Sequence, residues 1–567
     1  MQRSFRVLVI LGLSMACGWG QLTVDQKLAE FDQLSGLFAK GYAPHDWKKQ
    51  AFGIDLFDTA RWRTEIRQTR NDIEFFNVMS RWAAQLNDAH VSFASPANFT
   101  ARLNFTADLY DGRLLVDIVD RIRLSPSQYP IAAGYELVSI DGVPAMRILE
   151  QMMPYTVAGN PRSTRRFAAE LVTIRPQSVV PNAAEVPEFS TVVFRRFDGQ
   201  LETYRIPWTR TGIPMTGVGV YPDLGANEGP EESPEEVAPD VSQVVDRFLK
   251  LRLPPNRAIR GLGALTPVFA ASLPPNFVQR LGRTPTEPFF SGTFEAGGYR
   301  IGYLRIPTFG PANFNEGLLN FVREISFFQE NTDGLIIDVM RNGGGNGSYA
   351  SALISYLMPT RYRTLGVEIR ATSAWVVNFS QTLQLLRAQG APPPLVSSYE
   401  ELLNALIEAN ASNRGLTRPV PWDFNPGLER EPLRDARGNP VAYRKPLMVL
   451  TDELSASAAD GFAAIIQDNE RGPLFGFRTM GAGGTFSQAF VGPYSRSFVS
   501  YTESLMNRKA ERQEPGGYPA TRYVENVGVH PDIVEDYMTA QNLFENGRPF
   551  VESFVRAMVD HIAKSQR

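Results

Sequence analysis

The fold is decided by residues 334–347, which read GLIIDVMRNGGGNG. The apolar run 335–337 has the length of a buried strand, and the three glycines after Asn342 let the backbone turn sharply toward a helix. Unobstructed N–H groups at such a turn can bind a phosphate or a developing oxyanion. The stretch lacks the Lys-Ser/Thr pair of a Walker loop and the spacing of a dinucleotide fingerprint, which disfavours a nucleotide. Alone, it is equally typical of a tight strand-to-helix turn.

A second strand-to-helix corner lies at residues 447–462, which read LMVLTDELSASAADGF. Small residues around Ser457 would present its hydroxyl at the end of a buried strand, with backbone N–H groups beside it. Acyl transfer to a serine needs this arrangement. The simpler interpretation is an Ala/Ser-rich helix start that is capped by Ser455 or Ser457.

Working outward, short apolar runs alternate with helical patterns over 290–540, which predicts an α/β core with a layered sheet. Buried strands are expected at 303–306, 334–339 and 447–450, and a C-terminal helix at 541–567. The Pro-rich segment 390–446 is expected to form a surface excursion around a short helix.

The first half of the chain predicts three further units. Residues 22–100 are helical in pattern, with an apolar stripe that begins at Ile73 and a candidate N-cap at Asp72. Residues 103–210 predict a β-domain with a strand at 114–118 and a hairpin that turns at Asp198-Gly199. Residues 221–245 are expected to be an acidic linker, because they are rich in Asp, Glu and Pro and too polar to pack.

Composition excludes several classes of function. The 567 residues are 43% hydrophobic and 21% charged, which is ordinary for a soluble multi-domain protein. The net charge of −3 gives no basic excess for nucleic acid. Cys17 is the only cysteine, which excludes a disulfide, a cysteine nucleophile and cysteine-ligated zinc. The four histidines show no metal-ligand spacing, so we expect neither a metal nor a cofactor.

The N-terminus has the layout of a secretory signal. Arg3 and Arg6 precede an apolar run over 7–16 that ends in small residues and is too short to span a bilayer. We therefore expect export to the periplasm or the extracellular space, removal of residues 1–20 and no integral membrane span. A lipid anchor on Cys17 is the alternative, although the usual leucine is one position out of register.

Five motifs in order resemble the core of the tail-specific, or C-terminal processing, serine protease superfamily. They are GYLRIPTFG (302–310), GLIIDVMRNGGGN (334–346), PLMVLTDELSASAADGFAAIIQD (446–468), GFRTMGAGGTF (476–486) and VENVGVHPDI (524–533). The resemblance covers about 290–540 and implies a ClpP/crotonase-like spiral of ββα units. The phrase AGYELVSIDGVPA (133–145) resembles the circularly permuted PDZ modules of bacterial proteases, although any small β-domain remains an alternative. The expected fold thus has an N-terminal helical region and an inserted PDZ-like β-domain.

The resemblance also implies roles for individual residues. The nucleophile of the family falls on Ser457. The oxyanion donors are the backbone N–H of Ala458 and that of a glycine in the NGGG turn, for which we choose Gly344.

The general base departs from the pattern of many bacterial members. Their lysine position, in a G-K-G-T phrase, is Ala482 here, and an alanine cannot accept a proton. The superfamily also has a tricorn-core-like or chlamydial protease-like branch that uses histidine, in an L-x-D-x-H phrase that matches residues 86–90 and implies His90 as the base. The late carboxylate of that branch falls on Glu525. His530 is a rival base, and Asp468 is a second acidic candidate that is better explained as structural.

These residues predict an exported serine endopeptidase with a Ser-His-Glu arrangement, polypeptide substrates and no nucleic acid partner. The sequence leaves the oligomeric state open. A catalytically inactive ligand- or peptide-binding protein on the same fold is the alternative. An acyl-CoA-processing crotonase would share only the fold and is disfavoured by the SASAAD phrase.

Overall fold

The computed structural model describes residues 21–216, 261–490, 492–513 and 517–566. The predicted signal segment 1–20 and the predicted acidic linker 221–245 lie outside the described residues. In the described part of the chain, no helix combines the length and apolar character needed to cross a membrane.

Four helices form the N-terminal region: α1 (Val24–Gly41), α2 (His45–Phe52), α3 (Ala60–Gln68) and α4 (Asp72–Ala84). The prediction of Asp72 as an N-cap was wrong by one residue. Asn71 has the extended backbone of a cap, and its Oδ1 accepts a hydrogen bond from the N–H of Glu74 at 2.9 Å. Asp72 is buried and instead faces Lys27 of α1, with 3.4 Å between Nζ and Oδ1. This pair ties the first helix to the fourth.

Strand β1 (Ser92–Ala94) follows, and after it comes the β-rich region. That region comprises β2 (Thr100–Arg102), β3 (Phe105–Tyr110), β4 (Arg113–Val119), β5 (Glu136–Ile140), β6 (Val143–Pro144), α5 (Ala145–Met152), α6 (Pro161–Leu171), β7 (Ile174–Pro176), β8 (Phe189–Arg195), β9 (Leu201–Pro207) and β10 (Thr209–Thr211). Its main sheet runs β3-β4-β5-β8-β9, with β6 paired to β5, and its second sheet runs β10-β2-β7. The predicted strand at 114–118 and the hairpin that turns at Asp198-Gly199 are confirmed.

The C-terminal half is an α/β core. Its elements are β11 (Val278–Leu281), β12 (Phe290–Ala296), β13 (Tyr299–Arg305), α7 (Phe314–Asn331), β14 (Gly334–Asp338), α8 (Gly347–Ser355), β15 (Tyr362–Arg363), β16 (Gly366–Ile369), α9 (Ser373–Ala388), α10 (Pro393–Ala411), β17 (Val420–Pro421), β18 (Glu429–Arg430), β19 (Leu447–Thr451), α11 (Ala458–Asp468), β20 (Leu474–Gly476), β21 (Phe486–Phe490), β22 (Phe498–Thr502), β23 (Ser504–Arg512), β24 (Thr521–Tyr523), β25 (Ile533–Val534), α12 (Ala540–Phe544) and α13 (Arg548–Ser565). The single helix predicted at 541–567 is wrong, because Gly547 adopts a left-handed backbone (φ +81°) that separates α12 from α13.

A seven-stranded sheet, in the order β11-β12-β13-β14-β19-β20-β25, forms the centre of this core. From β13 onward neighbouring strands are parallel, and every residue of β14 and β19 is buried. This is why both strands are almost continuously apolar in sequence, as expected of strands that are covered on both faces. The mixed α/β fold of the sequence-based prediction is confirmed.

The register of β14 and β19 brings their carboxyl ends together, with Asp338 opposite Leu450. The two turns that follow are joined by further bonds: the N–H of Ala456 donates to the carbonyl of Asn342 at 2.9 Å, and Ser455 Oγ donates to the carbonyl of Val339 at 2.8 Å. Ligand sites in parallel sheets form at this edge. The two sequence motifs therefore meet there.

Candidate active site

Ser457 is the last residue of the turn that follows β19 and lies directly before the first residue of α11. It has a backbone conformation that few non-glycine residues adopt, with φ +56° and ψ −113°. Its side chain is partly exposed, whereas the flanking Ser455 and Asp460 are fully buried. A sharp turn of this kind holds a hydroxyl out at the start of a helix, and the strain requires support from the surrounding structure.

Asp460 supplies that support. Its Oδ2 accepts hydrogen bonds from the N–H of Ser457 at 2.7 Å and from the N–H of Ala482 at 3.0 Å. Its Oδ1 accepts from Thr479 Oγ1 at 2.5 Å and from the N–H of Gly481 at 2.8 Å. Burial raises the pKa of Asp460 to about 6, although these four donors favour the charged form. One carboxylate thus fixes both the serine turn and the facing loop 479–482.

The glycine turn forms the wall beside the serine. Gly344 has φ +98°, and a Cβ atom on it would stand 3.0 Å from the N atom of Ala458. The backbone N–H of Gly344, predicted to be an oxyanion donor, donates to Asn342 Oδ1 at 2.8 Å. Among the residues lining the cavity at Ser457, the turn contributes Gly343. The structure therefore brings Gly344 and Ala458 to Ser457, and the N–H of Gly344 is bonded to the side chain of Asn342.

His90 lies beyond α4, in a turn that precedes β1. Its backbone N–H donates to Asp88 Oδ1 at 2.8 Å, and its carbonyl accepts from Ser500 Oγ at 2.6 Å. The imidazole ring stacks on Phe486, with 5.0 Å between ring centroids. Burial lowers the pKa of His90, an effect that Asp88 opposes and Lys48 adds to. A neutral imidazole at neutral pH is what a general base requires.

His90 and Ser457 line the same cavity, of about 270 Å³, between the β-rich region and the core. Most of its lining is apolar. The lining residues are Ala89, His90, Thr100, Arg102, Thr156, Val157, Ala158, Phe167, Glu170, Leu171, Ile174, Pro176, Val179, Leu262, Gly343, Ala456, Ser457, Met480 and Ala482. Ala482, at the family's lysine position, is thus in the site but offers no proton acceptor.

Helix α6 of the β-rich region docks on the loop that precedes Ser457. Ser163 Oγ donates to the carbonyl of Glu453 at 2.6 Å. Arg166, which is buried, bridges the Glu453 carboxylate at 3.0 Å and that of Asp108 at 2.7 Å. Because buried charges are tolerated only when they are paired, this bridge fixes the β-rich region against the core at the cavity.

Glu525, the predicted carboxylate partner of His90, makes other contacts. Its Oε1 accepts from Lys48 Nζ at 2.5 Å, and its Oε2 accepts from the N–H of Gly483 at 2.9 Å. Among the described residues no hydrogen bond joins Glu525 to His90, and the buried Nδ1 of His90 has no hydrogen-bond partner. Burial and the nearby Asp88 raise the pKa of Glu525 to about 7, although Lys48 opposes that rise. The sequence-based prediction had Glu525 orient His90 either directly or through a hydroxyl, and the direct contact is absent among the described residues.

Two buried charged residues near His90 carried no role in the sequence-based prediction. Asp88 lies within the L-x-D-x-H phrase, and its Oδ2 accepts from Tyr42 and Thr502 hydroxyls, each at 2.8 Å. The phrase therefore contained a signal for Asp88. No such signal pointed to Lys48 on α2, because a lysine on a short helix is expected at the surface.

The rival residues lie elsewhere. His530 is not among the residues that line the cavity, and burial, with Arg478 and Arg508, lowers its pKa to about 4. Asp468 ends α11 and pairs with Arg508 at 2.6 Å and with Arg512 at 3.1 Å. Its role as a structural ion-pair residue fits these contacts. Within the described ranges, no group of three or more His, Cys, Asp or Glu side chains is placed to hold a metal.

Comparisons with known proteins agree with this architecture. Residues 300–534 match the model of peptidase family S41, and residues 100–223 match the model of the PDZ domain. A protein of Chlamydia trachomatis is 26% identical over 568 aligned residues, covering 90% of this chain and 89% of its own length. A protein of Chlamydia pneumoniae is 24% identical, covering 93% of this chain and 89% of its own.

Two solved structures share the fold. Mature CPAF complexed with lactacystin has a TM-score of 0.72 at 22% identity, covering 96% of this chain and 100% of that one. Mature CPAF has a TM-score of 0.72 at 23% identity, covering 95% of this chain and 98% of that one. The chain therefore carries a domain of peptidase family S41, a family of serine-type peptidases, with N-terminal helices and a PDZ domain ahead of it.

Proposed function

We propose that the protein is an exported serine endopeptidase in which Ser457 is the nucleophile and His90 is the general base. The observation that carries this proposal is the shared cavity, which Ser457 and His90 line together with Gly343 of the glycine turn. The constrained turn at Ser457 and the buried imidazole of His90 add support.

The reaction follows from these positions. Ser457 Oγ attacks the carbonyl carbon of a peptide bond while His90 takes the hydroxyl proton, and His90 then passes that proton to the departing amine. The N–H of Ala458, at the first position of α11, and an N–H of the glycine turn stabilise the oxyanion. The assigned donor is Gly344, which would exchange its bond to Asn342 for one to the oxyanion. Water, activated by His90, then hydrolyses the acyl-enzyme.

The substrate class follows from the family and the cavity. Members of a peptidase family act on polypeptides, and the mainly apolar lining favours an apolar side chain next to the bond that is cleaved. CPAF has been solved in complex with lactacystin, which makes lactacystin a suitable competitor in an assay of this chain.

The decisive experiment is labelling with a fluorophosphonate probe, followed by mapping of the modified peptide. Wild type should be labelled on Ser457, and Ser457→Ala and His90→Ala should not react. Ser326→Ala is the matched control, because Ser326 is an exposed serine on α7 that bonds only its own helix. Folded wild-type protein that fails to react, or labelling outside Ser457, would refute the proposal.

A non-catalytic ligand- or peptide-binding protein is the second candidate. The contacts of Gly344 and Glu525 favour it, because the N–H of Gly344 is bonded to Asn342 and Glu525 is bonded to Lys48 instead of His90. The same labelling experiment separates the two. A binding protein would bind an apolar peptide, as measured by fluorescence anisotropy. It would neither react with the fluorophosphonate probe nor cleave casein.

Export is proposed from the N-terminal pattern of Arg3, Arg6 and the apolar run 7–16. Intact-mass analysis of the protein from the medium or periplasm should find a mature chain that begins near residue 21. A mass increase that maps to Cys17 would indicate the lipid-anchored alternative, and a cytoplasmic chain that keeps residues 1–20 would refute export.

A further inference from the structure

Lys48 is a buried cation that the proposed mechanism does not use. Its side chain is 1% exposed, and its ammonium group donates to three acceptors. These are the carbonyl of Asn87 at 3.0 Å, Oε1 of Glu525 at 2.5 Å and Oδ1 of Asn526 at 2.6 Å. An ammonium has three N–H donors, so Lys48 is fully committed to this site.

The three acceptors belong to two turns that are far apart in sequence. Asn87, with φ +47°, lies three residues before His90, and Asn526, with φ +65°, follows Glu525 directly. The side chain of Asn526 donates back to the carbonyl of Asn87, and Trp47, the neighbour of Lys48, donates to Asn526 Oδ1 at 2.9 Å. Helix α2 therefore holds the two turns together at one point.

The charges around this point explain why a lysine is needed. Asp88 and Glu525 are both fully buried carboxylates, and the charge of Asp88 acts on Glu525. Two like charges in a low-dielectric interior repel each other strongly unless a cation balances them. Lys48 is the cation bonded to Glu525. Without it, Glu525 would lose an ion-pair partner and the Asn87 turn would lose a donor.

We propose that Lys48 is a positioning residue for His90. Lys48 joins the carboxylate of Glu525 to the main chain of Asn87, and Glu525 acts on the base along this path instead of by direct contact. The inference rests on the proposed function and deepens it. It gives the N-terminal helices a part in the reaction and explains how a carboxylate that is not bonded to the imidazole still belongs to the site.

The test compares two buried lysines. Lys48→Met removes the ammonium from the site, and Lys27→Met is the matched control. Lys27 is equally buried, at 3% exposure, and pairs with a carboxylate, Asp72, on the same group of helices. Turnover of fluorescein-labelled casein and the rate of fluorophosphonate labelling are measured for each folded variant. We expect kcat of Lys48→Met to fall about 100-fold with KM nearly unchanged, because misplaced catalytic groups cost about that factor.

Lys27→Met should lose thermal stability and keep the wild-type kcat. A folded Lys48→Met protein with wild-type kcat, or an equal loss in Lys27→Met, would overturn the inference. Labelling of wild type on Ser457 is scored separately, so failure of the proposed function is distinguishable from failure of this inference.

A second set of variants covers the case in which Lys48→Met does not fold. Lys48→Gln with Glu525→Gln removes both charges together and keeps hydrogen-bonding groups at both positions. If Glu525 acts through Lys48, the two single Gln variants and the double variant lose kcat by a similar factor, because residues that act as a unit are not additive. Additive losses, or a double variant with wild-type kcat, would overturn the route through Lys48.

Discussion

Gly344 packs against Ser457 so closely that a Cβ atom on Gly344 would stand 2.7 Å from the Cβ atom of Ser457. The same atom would lie 2.8 Å from the carbonyl oxygen of Ala456. Real Cβ atoms do not approach other heavy atoms this closely, so a side chain here must displace the turn at Ser457. The glycine turn and the serine turn thus form one unit, although more than a hundred residues separate them in sequence.

Gly344→Ala is therefore expected to lower the rate of fluorophosphonate labelling by about 100-fold or more, because small displacements of reacting groups cost this much. The left-handed backbone adds strain of about 1–3 kcal/mol, which denaturant unfolding should detect. Gly347→Ala is the control. Gly347 is the first residue of α8, and a Cβ atom on it would stand 3.4 Å from its nearest neighbour, the Trp422 ring. An equal loss in both variants would contradict the assignment.

Asp460→Asn tests the carboxylate that holds the serine turn. The amide keeps one oxygen but places an NH₂ where Oδ2 stood, so the N–H groups of Ser457 and Ala482 lose their acceptor, which costs roughly 1–3 kcal/mol for each N–H left unpaired. We expect lower stability in urea unfolding together with slower labelling of Ser457.

Asp468→Asn is the comparison for that variant, because Asp468 ends the same helix and pairs with Arg508. It should lose stability without a change in the labelling rate. Slower labelling in both variants would mean that general destabilisation of α11, and not release of the serine turn, controls reactivity.

Local patterns predicted most of the core. Leu335 and Val449 lie on strands buried on both faces, which produces continuous apolar runs that a single sequence reveals. The serine and glycine turns were predicted from the order of the two motifs, which resembles that of the tail-specific proteases, because each motif alone also fits a plain turn or a capped helix start. Each of these features depends on a few neighbouring residues.

The ion pair between Glu525 and Lys48 could not be predicted in the same way. Glu525 and Lys48 are 477 positions apart, and the ion pair that joins them depends on how the N-terminal helices dock on the core. Neither residue has a pattern around it that records this contact. The break at Gly547 was missed although the sequence signals it, because Asn546-Gly547 is a turn pair and Pro549 is typical of the first turn of a helix.

His530 is expected to make the protein sensitive to acid. Its pKa is lowered to about 4 in the folded protein, so below the usual value of 6.5 the unfolded chain takes up a proton that the folded chain does not. The contribution of His530 to stability is therefore present above pH 6.5 and is lost as the pH falls toward 4. In thermal melts, the Tm of His530→Gln should fall less than the Tm of wild type as the pH is lowered from 6.5 toward 4. Plots of Tm against pH that stay parallel for the two proteins down to the lowest pH would contradict this.

The last prediction concerns the pH dependence of the reaction of Ser457. As the proposed general base, His90 must be neutral to accept the hydroxyl proton, so we expect the labelling rate to rise with pH through the pKa of His90. Burial lowers that pKa below 6.5; Lys48 adds to this effect and Asp88 opposes it. We expect the fluorophosphonate rate to rise with a midpoint below pH 6.5 and to be flat at neutral pH. His90→Ala should remove both the reaction and its pH dependence.

Glu525 provides the competing explanation, because its pKa is raised to about 7 and it would titrate in the neutral range. Glu525→Gln separates the two groups. If His90 controls the rate, this variant labels more slowly but keeps a single midpoint below 6.5, because the imidazole still titrates. A wild-type midpoint near 7 that disappears in Glu525→Gln would assign the titration to the carboxyl group and would exclude His90 as the controlling group.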